Sequence, residues 1–317
     1  MNHLSRQCKM IFNQTSIVNL LKEEKYDLAV VDSFNPCSFL VPEKLGIPFI
    51  AVTHPFGFRS SWHSGISSQL SYVPVYQSQL TDHMDFFERV KNVFMYIASA
   101  VFERKIHSLF DDVIEDHFTE GSRPSLEELY KKTALWVYIT DFTIEFPHPL
   151  FPHVLCIGGL LTKPAKPVSQ EAIYHGVPMV AIPLFGDQFD NAVRIKVKNL
   201  GIFFPLDQLK AEKLAGAIRH ITGDESYRKS IKSLSLIQRS QPFPKDQQIV
   251  RWLEHIVTVG GTNHLLPYSY QQPLYQQYLL DVILFVCVCV IGACYLTVKL
   301  LRLFIQALCS VGKLKQN

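Results

Sequence analysis

The sequence lacks several features that would have assigned it to a class directly. Met1–Met10 is polar, with no apolar core and no small-residue cleavage site, so no signal peptide is expected there. No Cys-x-x-Cys, His-Glu-x-x-His or other Cys/His ligand spacing occurs, which excludes those zinc motifs. Lys and Arg number 31 against 28 Asp and Glu and form no basic block outside the C-terminal tail, so there is no nucleic-acid footprint. Of 7 cysteines, Cys287, Cys289, Cys294 and Cys309 lie in or beyond a C-terminal apolar run. The remaining three (Cys8, Cys37 and Cys156) are far apart and do not spell a disulfide framework. His148 and His153, separated by prolines, read as loop histidines.

Charge is also scarce, at 19% of residues against 48% hydrophobic, and one segment skews that balance. Val282–Val298 is a 17-residue run without charge or proline, bracketed by Asp281 and Lys299. At 1.5 Å per residue it is about 26 Å long, near the ~30 Å hydrocarbon core of a bilayer. A single membrane span is expected, since a core helix usually keeps a polar face. Lys299, Arg302, Lys313 and Lys315 follow it, and the 19 residues before Asp281 carry no Lys or Arg. The positive-inside rule then places the tail in the cytosol and the body in a lumen. The span also ends 19 residues from Asn317, the geometry of a tail anchor with a cytosolic body. The two arguments conflict.

At roughly 150 residues per domain, 317 residues predict two domains. Ser16–Lys25 has helical apolar spacing with Ser16 at the N-cap position, and Leu28–Asp32 and Ile47–Val52 read as buried parallel strands. Asp32 and His54 fall at their C-terminal ends, where open α/β sheets take ligands. Thr81–His117 reads as one long helical stretch whose apolar residues (Phe86, Val90, Val93, Phe94, Ile97, Val101, Ile106, Phe110, Val113) lie on related faces and are expected to pack on the sheet, a membrane or acceptor contact of Phe86–Phe110 being the alternative. Leu135–Thr140 and Val154–Ile157 are further strands. A Pro/Lys-rich linker, 161–170, follows. Beyond it, 171–260 offers strands at Val177–Pro183 and Ile202–Leu206 and several helices, too little sheet for an independent doubly wound domain. The expected division is 1–160, a linker 161–170, 171–260, a juxtamembrane stretch 261–281, a span 282–298 and a tail 299–317.

Glu171-Ala172-Ile173, His175-Gly176-Val177-Pro178-Met179-Val180, Ile182-Pro183-Leu184-Phe185-Gly186-Asp187-Gln188 and Asp190-Asn191 resemble the second half of the UDP-sugar signature of the membrane-bound UDP-glycosyltransferases, the UDP-glucuronosyltransferases and their relatives. Tyr26–Cys37, Ser71–Val75, Leu80–Met84, Gly158-Gly159-Leu160 and Lys163-Pro164 match as well. Thr81–Phe118 and Glu120–Pro124 are most similar to the 3A subfamily. The resemblance implies an α/β fold of two Rossmann-like domains, the GT-B type, plus one C-terminal transmembrane helix anchoring a lumenal body in the endoplasmic reticulum. Against that pattern, the first strand of the N-terminal domain is missing, with the stretch that holds the family's catalytic His. The Trp-x-Pro-Gln and His-Gly-Gly-x-Asn-Ser elements expected before Glu171 are missing too. A lost block of about 110 to 120 residues at the Gln170–Glu171 seam matches half a Rossmann sheet.

The resemblance implies inverting transfer of a sugar from a UDP-sugar co-substrate to a small lipophilic hydroxyl acceptor. No cofactor and no metal are implied. Asp32 would be the Asp that orients the catalytic base. Glu171 would accept hydrogen bonds from the ribose hydroxyls, and Asp187 and Gln188 from the sugar. On the residues alone, Asp32 caps the next turn, Glu171 is a first-turn helix acid, Asp187 and Gln188 are turn residues, and His54 is a loop histidine. A chain without the base and the phosphate cradle is expected to be catalytically impaired. The alternatives are a non-catalytic membrane partner that oligomerises with full-length relatives, and a gene-model fragment that does not accumulate. Asn13-Gln14-Thr15 is an N-glycosylation sequon, usable if it reaches a lumen.

Overall fold

The structure is a computed structural model describing residues 2–53, 69–140, 142–158, 169–241 and 245–314. His54 and most of the linker lie outside the described residues. The chain forms two compact units, Met1–Leu266 and Pro267–Asn317.

The first unit opens with α1 (Asn2–Asn13) and α2 (Thr15–Glu23). The stretch that reads as merely polar is thus a helix, and it sinks Cys8 and Phe12 into the core. α2 begins after Gln14 with no side-chain cap, so Ser16 lies inside the helix. Next come β1 (Ala29–Asp32), α3 (Cys37–Leu45) and β2 (Phe49–Thr53). Between β2 and β3 lie α4 (Phe86–Ser108), α5 (Asp111–His117) and α6 (Leu126–Lys132). β3 (Leu135–Tyr138) and β4 (Val154–Cys156) complete a four-stranded parallel sheet in the order β1-β2-β3-β4. Ala29 pairs with Phe49, Ile50 with Leu135, and Trp136 with Val154.

Alternate residues along the strands feed two cores, as the two-residue period of a strand requires. Phe49, Ala51, Trp136 and Tyr138 join Phe39, Leu40, Phe110, Leu129 and Tyr130 on one face. Ile50, Leu135 and Val137 join Ile157 and Ile256 on the other. Of the two strands expected to be buried, β1 departs from the expectation: it is an outer strand of the sheet, and Val30 is 61% exposed.

The structure supplies a disulfide that the spacing did not spell. Cys8 and Cys37 are bonded, with Cα atoms 5.6 Å apart. Their separation of 29 residues hides the pairing in the sequence. Tertiary packing creates it, because α1 lies against the start of α3 and is held to the α4–α5 region by Lys9–Asp116 (2.6 Å) and by the Ser5 hydroxyl on the Leu109 carbonyl.

The long helical stretch is also corrected. It breaks into α4 and α5 at Leu109–Phe110, and α4 starts five residues later than expected, at a capping box in which Asp85 and Glu88 satisfy each other's backbone N–H. The stretch's apolar stripe packs on the sheet only at its C-terminal end, where Ile106, Phe110 and Val113 join the first core. Phe87, Phe94 and Val101 are 78%, 68% and 63% exposed, whereas Asn92 and Glu103 are buried. Asn92 sets this roll. Its amide accepts from Val75 N–H and donates to the Leu70 and Val73 carbonyls, so the polar side must face inward.

A second, smaller sheet follows. α7 (Ser169–His175) leads into β5 (Met179–Ala181), α8 (Gln188–Val197) and β6 (Gly201–Phe203), with β5 and β6 parallel. A Cβ at Gly201 would lie 1.9 Å from the Met179 carbonyl oxygen, so only glycine lets these strands meet. α9 (Ala211–Gly223) and α10 (Glu225–Arg239) complete the group, whose core joins Ile173, Ile195, Leu200 and Ile231 to Ile144. α11 (Lys245–Val259) then returns to the first sheet, placing Ile249, Trp252, Leu253 and Ile256 on its second face.

The second unit holds α12 (Leu274–Gln277) and α13 (Leu280–Leu314). Leu280–Leu300 of α13 is 21 residues long, apolar enough to cross a membrane and not buried. The expected span lies within it.

Replacing Cys8 with Ser is expected to lower the unfolding free energy by about 3 kcal/mol, the size of effect for closing a loop of this length. Urea unfolding of the full chain in detergent measures it. An unchanged midpoint would show that the bridge does not form.

Candidate functional site

Asp32 ends β1 and is exposed. Its Oδ1 accepts the Phe34 N–H at 3.0 Å, and its backbone carbonyl accepts from the Ser38 hydroxyl at 2.5 Å. The carboxylate therefore caps the turn into α3, the local role that the residues alone suggest.

Glu171 lies in the first turn of α7. Its Oε2 is buried and has no hydrogen-bond partner among the described residues. An unpaired buried carboxylate oxygen is an open acceptor. Asp187 and Gln188 follow β5 at the entry to α8, at the C-terminal end of a parallel strand, where open α/β sheets take ligands. Both are engaged locally. Gln188 Oε1 accepts from Leu184 N–H (2.7 Å) and Phe185 N–H (3.4 Å), and Asp187 Oδ2 accepts from Asn191 Nδ2 (3.0 Å). Gly186, at φ +64°, allows the tight turn that makes these bonds possible.

Sequence reasoning missed the polar cluster that surrounds this turn. Asp190 Oδ2 and Oδ1 accept the backbone N–H groups of Gln77 (2.6 Å) and Gln79 (3.1 Å), 113 and 111 residues away. One turn on, Arg194 pairs with Glu145 at 2.8 Å and donates to Asn191 Oδ1 at 2.8 Å. Lys198 donates to the Thr143 and Glu145 carbonyls. The signal was available. Asp190, Arg194 and Lys198 recur every four residues along one helix face, and Glu145 stands alone between Ile144 and Phe146. A lone acid in an apolar stretch needs a buried partner.

Burial shifts these groups. It pushes the Glu145 carboxyl up, against the pull of Arg194 and the Thr140 hydroxyl. It also pushes Asp190 up, against the Gln77 N–H and Arg194. Tyr76 is raised to about 12, first by burial and then by the charges of Asp187 and Asp190. Tyr76, Asp187, Asp190, Arg194, Leu80 and Phe146 line a cavity of about 20 Å³. Ligand pockets generally measure about 300–1,000 Å³, so this space takes no sugar as it stands. Of the expected loop histidines, His153 is fully buried and burial pushes it down to about 4, so it is neutral. Among the described residues no three of His, Cys, Asp or Glu are grouped to hold a metal ion.

An α/β chain with carboxylates gathered at the loop after a parallel strand is of the class that handles polar small ligands. The family model described as "UDP-glucoronosyl and UDP-glucosyl transferase" matches residues 1–172 and 170–315, and the chain belongs to this family. UDP-glucuronosyltransferase 3A1 of Xenopus laevis is 64% identical over 412 aligned positions, covering 100% of this chain and 79% of that protein. UDP-glucuronosyltransferase 3A2 of Homo sapiens is 34% identical over 413, covering 100% of this chain and 78% of that protein. These relatives bear out the expected likeness to the 3A subfamily, and by family the chain is a glycosyltransferase. Among solved structures, the spinosyn forosaminyltransferase SpnP is similar at 12% identity and a TM-score of 0.48, with 76% of this chain and 79% of that chain covered.

Arg194→Met is expected to destabilise the chain by about 3–5 kcal/mol near neutral pH, because it strands a buried charge. A carboxyl whose folded pKa is raised binds its proton more tightly in the native state. Its contribution is therefore most favourable below the unfolded pKa and declines as pH rises toward the folded one. The variant should recover part of the loss on acidification, and adding Glu145→Gln should recover most of it. Denaturant unfolding across pH tests both. Additive effects in the double variant would show that the two side chains do not interact.

Proposed function

We propose that the chain is a UDP-sugar glycosyltransferase homologue whose donor-binding domain lacks its first half, so that it retains the donor-sugar motif without turning over substrate. The observation that carries this reading is the seam. The family model matches in two segments that meet at residues 170–172, the position where the UDP-sugar signature breaks off. The alignment to the Xenopus relative supports it, since 412 positions for 317 residues leave 95 occupied by the relative alone. That is the order of half a Rossmann sheet, somewhat below the 110 to 120 residues expected. The two-stranded β5–β6 sheet and the 20 Å³ space beside Asp187 fit the same reading.

In the intact chemistry, a base takes the proton of a lipophilic acceptor's hydroxyl as its oxygen attacks the anomeric carbon, and UDP leaves with inversion. Asp32 would orient the base, Glu171 would hold the ribose, and Asp187 and Gln188 would hold the sugar. In this chain Asp32 and Gln188 are engaged in their own turns, and Glu171 Oε2 has no partner among the described residues. No cofactor enters, and the UDP-sugar is a co-substrate. A second reading, a non-catalytic partner that pairs with full-length relatives, draws on the same small sheet, whose strands are only partly buried.

We infer that the body lies in the lumen of the endoplasmic reticulum, anchored by α13. The Cys8–Cys37 bridge supports the oxidising side and favours the charge rule over the tail-anchor geometry. Asn13 is exposed and heads its sequon, so expression in cells should yield a product whose gel mobility shifts with endoglycosidase and no longer shifts in Asn13→Gln. An unshifted product would place the body in the cytosol.

Purified full chain in detergent, given labelled UDP-glucuronic acid or UDP-glucose and a phenolic acceptor, should show no turnover. Turnover abolished by Asp187→Asn would sink the impairment reading. Co-purification with a full-length relative, without turnover, would favour the partner reading. Absence of any stable product in cells would favour a fragment that does not accumulate.

A further inference from the structure

The loop that precedes α4 is held by two helices in different ways. On one side, Asn92 of α4 binds the Leu70, Val73 and Val75 backbone, and Lys91 Nζ donates to the Ser78 carbonyl at 2.6 Å. On the other side the hold is a single carboxylate. Asp190 of α8 accepts the Gln77 and Gln79 N–H groups, one on each oxygen. Both glutamines have left-handed backbone, at φ 62° and 56°, and both side chains are exposed. That region is unfavourable for a residue with a Cβ, so the conformation persists because Asp190 holds both N–H groups.

The loop is held over the Asp187 turn. Pro74, Val75, Tyr76 and Leu80 line the 20 Å³ cavity together with Phe146, Asp187, Asp190 and Arg194. A Cβ built on Gly186 would stand 3.4 Å from the Tyr76 hydroxyl, so the phenol reaches the turn itself. Leu80 and Phe146 are each 7% exposed. The space is too small for a sugar because this loop occupies it.

We propose that residues 74–80 are a strap that shuts the space beside Asp187, with Tyr76 as the plug and the two hydrogen bonds to Asp190 as the latch. A segment that is locally unfavourable when shut, and is held to α8 by one carboxylate, has an open alternative close in free energy. Opening withdraws Tyr76 from the turn while the contacts with α4 stay. The donor side then carries two blocks: the missing half of its domain, which is permanent, and the strap, which is reversible. The strap's meaning for sugar binding rests on reading Asp187 and Gln188 as the donor-sugar motif.

Hydroxyl-radical footprinting of the full chain in detergent, read by mass spectrometry, tests the strap. Two variants release the latch from opposite ends. Asp190→Asn keeps the side chain's shape but leaves one acceptor oxygen and turns an amide donor toward the second N–H. Gln77→Pro removes one of the two N–H groups and forbids a positive φ, without touching α8. In both, labelling of Tyr76 and Phe146 is expected to rise several-fold, with Trp136, fully buried in the wild type, as protected as before. A variant in which Trp136 is labelled has unfolded, and the other then decides. Tyr76 and Phe146 no more labelled than in the wild type would overturn the strap. So would labelling of Trp136 in step with Phe146 in both variants, because the loop would then be part of the fold rather than a latch on it. The readout is the position of the loop and not the chemistry, so turnover by the wild-type chain would remove the impairment reading without altering the labelling.

Discussion

A parallel sheet cannot leave a face to water, because its strands are apolar on both sides. The four-stranded sheet meets this demand in two different ways. One face is covered by α1 and by helices that arise between its own strands, with Tyr130, Phe39 and Trp136 packed as an aromatic cluster. The other face is covered by α11, which follows the second sheet. Two polar contacts pin that helix. Lys245, at its start, donates to the Cys156 carbonyl at the end of β4. Thr262, just past its end, donates to the Ala134 carbonyl at the start of β3. The N-terminal sheet is thus completed from the far end of the same unit.

The second constraint is ionic. α8 carries the end of the motif that marks the chain as a sugar-transferase relative, and Asp190 and Arg194 on it, with Lys198 just past its end, hold residues 77–79 and 143–145. A buried pair such as Arg194–Glu145 adds little net stability over an apolar pair but strongly penalises any arrangement that separates its members. It acts as a register device, fixing α8 against residues 143–145, as Asp190 fixes it against residues 77–79.

Strands were legible because short apolar runs closed by Asp or Thr leave little else to be. The site motif was legible because its residues are contiguous. Three features were not. The Cys8–Cys37 bridge depends on a helix packing across another, which no spacing records. The exposure of Val30 depends on strand order in the sheet. The outward stripe of α4 depends on Asn92. Periodicity tells which side of a helix is apolar, and one buried amide with three backbone partners decides where that side points. The polar cluster around Asp190 joins residues more than a hundred positions apart, so only its single elements, a lone Glu and a four-residue charge repeat, were visible.

The cover supplied by α11 has a consequence for biosynthesis. A chain made from its N-terminus completes β1 to β4 long before residues 245–259 leave the ribosome, so the nascent sheet has one finished face and one bare one. Domains synthesised first ordinarily fold first. Here the face that bears Ile50, Leu135 and Val137 has no cover until α11 has been made. The body can close only when nearly the whole polypeptide has been made, and by then α13, the membrane-competent segment, is the next to emerge.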